Sequence, residues 1–406
     1  MVLAYFPQGR GLSIITDTNN PPQGIQAKPS ILIEENPLLA LFPPIGDASF
    51  QFYKFYQVNK NQVQTAQTNA TVLITDTLGP GIIQQASGFD IRAFDSAGIP
   101  INYETESVDT SISKFAVWAD MAILNDLEFV QLAFGNPSAT NGSSSSGLWN
   151  GYSAVYHLNQ TTFGIQTTRD SSVNLEDGTP QSMDNTNQVA GQIDGSLEFD
   201  GTNEFIVMNN SPELEPGNGT WTVSAWIRPD SDARMYIVGK QDPVNPFPGW
   251  AFLFSNTGND RKLFVAMRGT GRITVRGTMQ ISLGVFHHVV CTYDGSMNAS
   301  GIRLFIDGVE DTVNIELNNL TSGVTNELEF NIGNVGGIIG GSATWGGIID
   351  EVNIFDNVQT PDFIKIAFNS QNDNNAFWHK TPLLENGVDN FLVDPGGRVI
   401  VAGGQP

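Results

Sequence analysis

Ser196-Leu197-Glu198-Phe199-Asp200-Gly201-Thr202-Asn203-Glu204-Phe205-Ile206-Val207 opens the stretch that decides the fold. Apolar Leu197 and Phe199 alternate with polar neighbours, an Asp-Gly pair follows, and a second apolar run begins, which reads as strand, turn, strand. The pattern recurs outward toward Phe368. Trp221-Thr222-Val223-Ser224-Ala225-Trp226-Ile227-Arg228-Pro229 has a period of two and closes on a proline with no N–H for a ladder, so the strand is expected to stop there. Phe286-His287-His288-Val289-Val290-Cys291-Thr292-Tyr293 is apolar on both alternating faces, as a strand with ordered neighbours on each side requires, and Asp294-Gly295 turns it. Ile302–Ile306 continues to Val309 through Asp307-Gly308, a two-residue loop suited to a type I′ turn because glycine tolerates positive φ. Gly346–Phe355 supplies a last strand, and Thr360-Pro361 places a cap and a first-position proline ahead of a short helix through Ala367. Strands and turns at this spacing predict a two-sheet sandwich.

The same residues carry a resemblance. Leu-x-Phe-Asp-Gly, Trp-Thr-Val-Ser-Ala-Trp-Ile-x-Pro, His-His-Val-Val-x-Thr-Tyr-Asp-Gly, Leu-Phe-Ile-Asp-Gly and Gly-x-Ile-Asp-Glu-Val-x-Ile-Phe follow one another in that order. The series is similar to the laminin-G-like, concanavalin A-like jelly-roll family. Upstream, Ala154-Val155-Tyr156-His157-Leu158, Asp170-Ser171-Ser172 and Asp177-Gly178-Thr179 resemble that family's first strand and the loop after it. The jelly roll is therefore expected over residues 151–371.

Four other segments surround it. Residues 1–47 hold Pro21, Pro22, Pro29, Pro37, Pro43 and Pro44, a density that argues against helix and central strand. They read as an extended arm whose Leu38-Leu39-Ala40-Leu41-Phe42 needs a surface to dock on. Residues 48–137 carry five strand signals and predict a small β sandwich. Phe89-Asp90-Ile91-Arg92-Ala93-Phe94 through Glu106, ending in Phe134-Gly135-Asn136-Pro137, resembles a domain of unknown function that precedes laminin-G-like jelly rolls in bacterial surface proteins; no activity comes with it. Residues 138–150 are a Ser/Asn/Gly linker, expected to be exposed and mobile. Residues 372–406 read as a tail that adds a strand to a neighbour. The whole is all-β, with two β-sandwich domains and extended terminal arms.

Composition narrows the function classes. Acidic side chains number 42 against 19 basic ones, a formal net charge of −23, and such a field repels phosphate polymers. Nucleic acid is not an expected partner. The one cysteine, Cys291, excludes an internal disulfide and reads as a small buried hydrophobe. No run of about 18 apolar residues offers a membrane span, and the first ten residues lack the basic and apolar regions of a signal peptide, so synthesis inside a cell without secretion is expected.

Candidate chemistry is sparse. His157 and His379 are scattered, and adjacent His287 and His288 point to opposite faces of one strand, which prevents joint metal ligation. No Gly-x-Ser-x-Gly elbow is present. Glu198, Asp200, Glu204, Asp350 and Glu351 sit at strand ends and turns, without the Glu-x-Asp-x-x-Glu strand of hydrolytic relatives, so the chain is read as a non-enzyme. The resemblance implies a calcium ion at the sandwich edge, held by Asp200, Asn203 and Asp350. Aromatic candidates for sugar contact are Phe247 and Trp250, in and just after a proline-rich loop, and glycine-flanked Trp345, while Trp221 and Trp226 read as core.

The expectation is a virion surface component, a phage head or tail decoration that presents a jelly roll to glycans or cell surfaces. Its terminal arms would bind other particle proteins in a homo-oligomer or larger assembly. A particle assembled in a reducing cytoplasm needs neither disulfide nor anchor. The alternatives are a bacterial cell-surface or secreted carbohydrate-binding adhesin and a glycoside hydrolase fragment.

Overall fold

In a computed structural model the described residues are 2–4, 13–15, 41–42, 47–123, 128–160, 168–215, 219–255, 260–336, 343–386, 390–393 and 399–402. Most of the proline-rich arm lies outside them, as do residues 387–389, 394–398 and 403–406 of the tail.

Two eight-stranded antiparallel sheets make the jelly roll. The inner sheet runs Gln188–Ala190, Gly195–Asp200, Gly346–Phe355, Trp221–Pro229, His287–Tyr293, Ile302–Ile306 and Val309–Asp311, with Tyr152–Tyr156 also paired to Gly346–Phe355. The outer sheet runs Thr179–Gln181, Phe205–Met208, Phe330–Ile332, Met235–Gln241, Gly249–Ser255, Lys262–Gly269, Gly271–Gly277 and Val313–Asn318. Alternation does what the sequence predicts. Leu197, Phe199, Val223, Ala225, Ile227, Val289, Cys291, Tyr293, Ile349, Val352 and Ile354 all enter the core between the sheets. The strand that begins at Trp221 ends at Pro229. Asp307 and Gly308 have φ of 53° and 70°, the two left-handed residues of a type I′ turn, and Ile306 pairs with Val309 across it. Thr360 caps the helix Pro361–Asn372 by accepting from the Phe363 N–H at 3.2 Å.

The small sandwich is made of two further sheets. One orders Trp378–Lys380, Phe52–Val58, Phe129–Phe134 and Ile91–Phe94; the other orders Gln67–Thr77, Lys114–Ile123 and Tyr103–Asp109. Its first sheet takes a strand from the far end of the chain. After the jelly roll, the helix Pro361–Asn372 leads back, Trp378–Lys380 and Leu384–Glu385 both pair with Phe52–Val58, and Trp378 Nε1 donates to the Leu73 carbonyl at 2.8 Å. The neighbour that receives this tail strand is thus another part of the same chain. Beyond it, Leu41–Phe42 pairs with Asn390–Val393, which pairs with Val399–Ala402.

The 138–150 segment differs from its expectation. Instead of hanging free it lies on the small sandwich: Gln85 Nε2 donates to the Ala139 carbonyl, Arg92 Nη2 to the Thr140 carbonyl, and Ser143 Oγ to the Tyr103 carbonyl. It ends in the helical turn Ser145–Leu148, with Leu148 and Trp149 buried. A polar segment with little apolar surface is still fixed when its backbone carbonyls find donors.

The outward face of the inner sheet is covered by the small sandwich. Leu73, Ala116 and Trp118 of the latter meet Trp149, Tyr152, Val155, Trp226 and Phe355 in one buried apolar cluster. In Gly346–Phe355 a bulge, at which Glu351 has φ of 50° and the pairing to Trp221–Pro229 shifts register, puts Asp350 and Glu351 together on that covered face.

Candidate ligand site

At one end of the jelly roll the two sheets are bridged by aromatic rings. Trp221, first residue of its strand on the inner sheet, lies 5.0 Å from Trp250 of the outer sheet at an interplanar angle of 34°. Tyr293 continues the series on one side at 6.0 Å and Phe330 on the other at 5.9 Å. Both indoles are almost wholly buried, at 3% and 1% exposure.

A cavity of about 200 Å³ opens beside them, lined by Trp221, Trp250, Leu214, Glu213, Glu215 and Asp356 among others. Its mouth is polar, because Glu213, Thr220 and Asp356 are exposed. The acidic wall is set by a single turn of 3-10 helix, Pro212–Leu214, started by Ser211, whose Oγ accepts from the Glu213 N–H at 3.2 Å. Leu214 inserts into the core, so Glu213 stays outside and Glu215 is carried to the edge. Glu215 Oε2 pairs with the buried Lys240 Nζ at 2.8 Å, and Lys240 also donates to Asn210 Oδ1 at 2.6 Å.

Three polar atoms of this lining have no partner within the fold: Nε1 of Trp221, Nε1 of Trp250 and Oε1 of Glu215. A buried donor or acceptor left unpaired costs about 1–3 kcal/mol. Indoles beside the exposed carboxylates of Glu213 and Asp356 make a set that matches a polyhydroxylated ring, which offers hydroxyls to the acceptors and C–H faces for aromatic contact.

The six residues singled out in the sequence are not brought together. Asp200 is exposed and acts as a turn former, Oδ1 accepting from the N–H groups of Thr202, Asn203 and Glu204 at 2.7, 3.0 and 3.3 Å. It pairs with Gly346, four residues from Asp350 along one strand, a separation on the order of 13 Å. Asp350 is fully buried on the covered face, accepts from the Ile193 N–H at 3.0 Å, and has its carboxyl raised well above the usual range by burial and then by the Glu351 charge. The structure thus corrects the calcium set of Asp200, Asn203 and Asp350: the turn with Asp200 and Asn203 lies at a sheet end and Asp350 beneath the small sandwich. Among the aromatic candidates only Trp250 lines the cavity. Trp345 is fully buried against Phe254, four residues along the strand from Trp250, and Phe247 is half-buried with the Arg268 guanidinium 5.0 Å above its ring. Trp345 is therefore corrected to a core residue.

Sequence reasoning missed Trp221, Glu213, Glu215 and Asp356. Trp221 was assigned to the core, where it also belongs; a strand opening on tryptophan after an acidic Ser-Pro-Glu-Leu-Glu turn is the signal that marks a strand end near the rim.

The family-model comparison fits the jelly roll. Residues 199–365 match a laminin-G family model described as the concanavalin A-like lectin/glucanases superfamily. No curated protein matches the chain. Among solved structures, the binding domain of Paraclostridial Mosquitocidal Protein 1 is similar at 15% identity and a TM-score of 0.40, over 53% of this chain and 52% of that one. The chain thus spans about half of that protein's length. Domain 4 of an extracellular arabinanase from Geobacillus stearothermophilus, solved with arabinotriose, is similar at 18% identity and a TM-score of 0.40, over 53% of this chain and 98% of that one. A Trypanosoma rangeli sialidase in complex with sialic acid is similar at 13% identity and a TM-score of 0.40, over 66% and 42%.

Proposed function

We propose, from the concanavalin A-like domain at residues 199–365, that this chain is a non-enzymatic glycan-binding protein whose jelly roll takes one sugar residue into the cavity beside Trp221 and Trp250. The observation that carries the reading is an open cavity with an acidic mouth, lined by the packed indoles of Trp221 and Trp250 and by the carboxylates of Glu213, Glu215 and Asp356. The cavity is below the roughly 300–1,000 Å³ of a drug-sized pocket, so it favours a terminal or branching sugar over a long chain segment. Glu215 is tied to Lys240, which suits it to accept from hydroxyls rather than to deliver a proton in hydrolysis.

We infer a virion surface as the setting, with the terminal segments as the docking elements. The motif that supports it is the three-stranded sheet of Leu41–Phe42, Asn390–Val393 and Val399–Ala402, which joins both ends of the chain outside the two sandwiches. The same architecture would serve a bacterial adhesin; co-purification of the chain with particles supports the first setting and its recovery from a cell envelope the second.

Tryptophan fluorescence during titration with a panel of monosaccharides tests the binding reading. Saturable quenching by at least one sugar is expected, weakened about tenfold in Trp250→Phe. Release of reducing ends from a polysaccharide by the wild-type chain, or quenching unchanged in that variant, would overturn it.

A further inference from the structure

A second group of polar side chains lies on the molecule's covered face, independent of the sugar cavity. Where the small sandwich meets the inner sheet, Glu104 and Glu106 of Tyr103–Asp109 face His157, which follows Tyr152–Tyr156, and Asp350 and Glu351 of Gly346–Phe355. His157 Nδ1 is 3.0 Å from both carboxylate oxygens of Glu351 and 3.8 Å from Glu106 Oε2, and its Nε2 is 3.6 Å from Glu104 Oε2. The side chains of Glu106 and Glu351 are 0% and 1% exposed. The group therefore sets four carboxylates against one imidazole, and among the described residues no lysine or arginine forms an ion pair with any of them. Burying carboxylates without compensating positive charge is costly.

Two further observations point to a cation as the compensation. The Oδ1 atom of fully buried Asp350, the residue before Glu351, has no hydrogen-bond partner, and both ring nitrogens of His157 have carboxylates as their charged neighbours. One nitrogen or oxygen atom from each of Glu106, His157 and Glu351 lies within 4.8 Å of the other two, the span of a single coordination sphere. The carboxylates are also held from outside: Trp118 Nε1 and Asn159 Nδ2 donate to Glu106 at 2.7 and 3.1 Å, and Ser171 Oγ and Trp149 Nε1 donate to Glu104. Glu104 beside Nε2 is where a carboxylate stands when it orients a metal-bound imidazole.

We propose that this seam binds one first-row divalent cation, Zn²⁺ or Mn²⁺, through His157, Glu106 and Glu351, and that the ion fastens the small sandwich to the jelly roll. One imidazole with carboxylates is a borderline donor set that suits these ions better than Ca²⁺ or Mg²⁺, which take oxygen alone. Because the donors come from both sandwiches, binding is linked to their docking, and the ion stabilises the joined state by mass action.

The test uses the full chain, stripped with a chelator and titrated with Zn²⁺ or Mn²⁺ in a calorimeter, with metal content and thermal midpoint read in parallel. Uptake of one equivalent and a rise in Tm of about 5 °C at saturation are expected. Glu351→Gln and Glu106→Gln keep side-chain shape and remove a ligand charge, so each is expected to weaken binding at least tenfold while the metal-free protein stays folded by circular dichroism. Asp200→Asn, on the exposed turn, is expected to leave binding unchanged. Absence of stoichiometric uptake and of a Tm rise with both ions would overturn the proposal, as would uptake that persists undiminished in both Gln variants.

Discussion

The rim of the jelly roll and the seam beneath the small sandwich both hold buried polar atoms without partners, and they differ in what surrounds those atoms. At the rim, two indole N–H groups and one carboxylate oxygen stand beside a cavity with an exposed acidic mouth. At the seam, carboxylates crowd one imidazole beside Trp118 and Trp149, whose rings lie 5.9 and 5.7 Å from that of His157, and the side chains of Glu106 and Glu351 are shut off from solvent. An open site is fit to exchange a neutral, hydroxyl-rich ligand with solvent; an enclosed and charged one is fit to retain an ion. Unpaired polarity marks both places, and access separates their uses.

The contrast can be broken most forcefully at the seam. Trp149→Ala removes a ring that contacts Trp118, Tyr152 and His157, and it is expected to cost about 3–5 kcal/mol in urea unfolding. A loss below about 1 kcal/mol would mean that the two sandwiches hardly depend on one another. The next effect is pH-dependent. His288, packed beside Trp226 and Phe368 near the seam, has its pKa lowered to about 4 by burial, against a weaker opposing pull from Asp307. With the folded value below the unfolded 6.5, its contribution is fully present above pH 6.5 and is lost as pH falls toward 4. The difference between wild type and His288→Phe should shift by about 2 kcal/mol from pH 7 to pH 5, in the sense that the variant loses less. Parallel acid limbs for the two proteins would refute the assignment.

Smaller effects sharpen the other side. Trp221→Phe deletes one partnerless N–H at the rim and keeps an aromatic core side chain, so sugar affinity is expected to fall about tenfold, roughly 1.4 kcal/mol, while metal uptake at the seam stays unchanged. Thr360→Ala removes a cap from the helix that leads from one sandwich back to the other, and about 1 kcal/mol of stability is expected to go with it, with sugar affinity untouched.

Legibility followed sequence distance. The Asp307-Gly308 hairpin, the stop at Pro229 and the cap at Thr360 are local rules acting on neighbouring residues, and each holds. The calcium set failed because it joined Asp200 to Asp350 by assuming that adjacent strands bring their ends together; antiparallel register instead sets Asp200 against Gly346. Glu104 and Glu106, two residues apart on one strand, share a face by the period of two, and that pair was readable as an acidic stripe. Its partners were not, since Glu351 reaches the same place only through a bulge and His157 through a strand about 190 residues away from it.

Alternating side chains, turn pairs and caps fixed from the sequence alone the antiparallel strands between Gly195 and Phe355 and the short helix after them, because each of those preferences is settled within a few residues. Tertiary packing decided which face of the inner sheet would be covered, that the tail strand Trp378–Lys380 would return to Phe52–Val58, and which carboxylates would meet. Those outcomes depend on long-range register and on which buried groups lose their water, quantities that no local window of the chain contains.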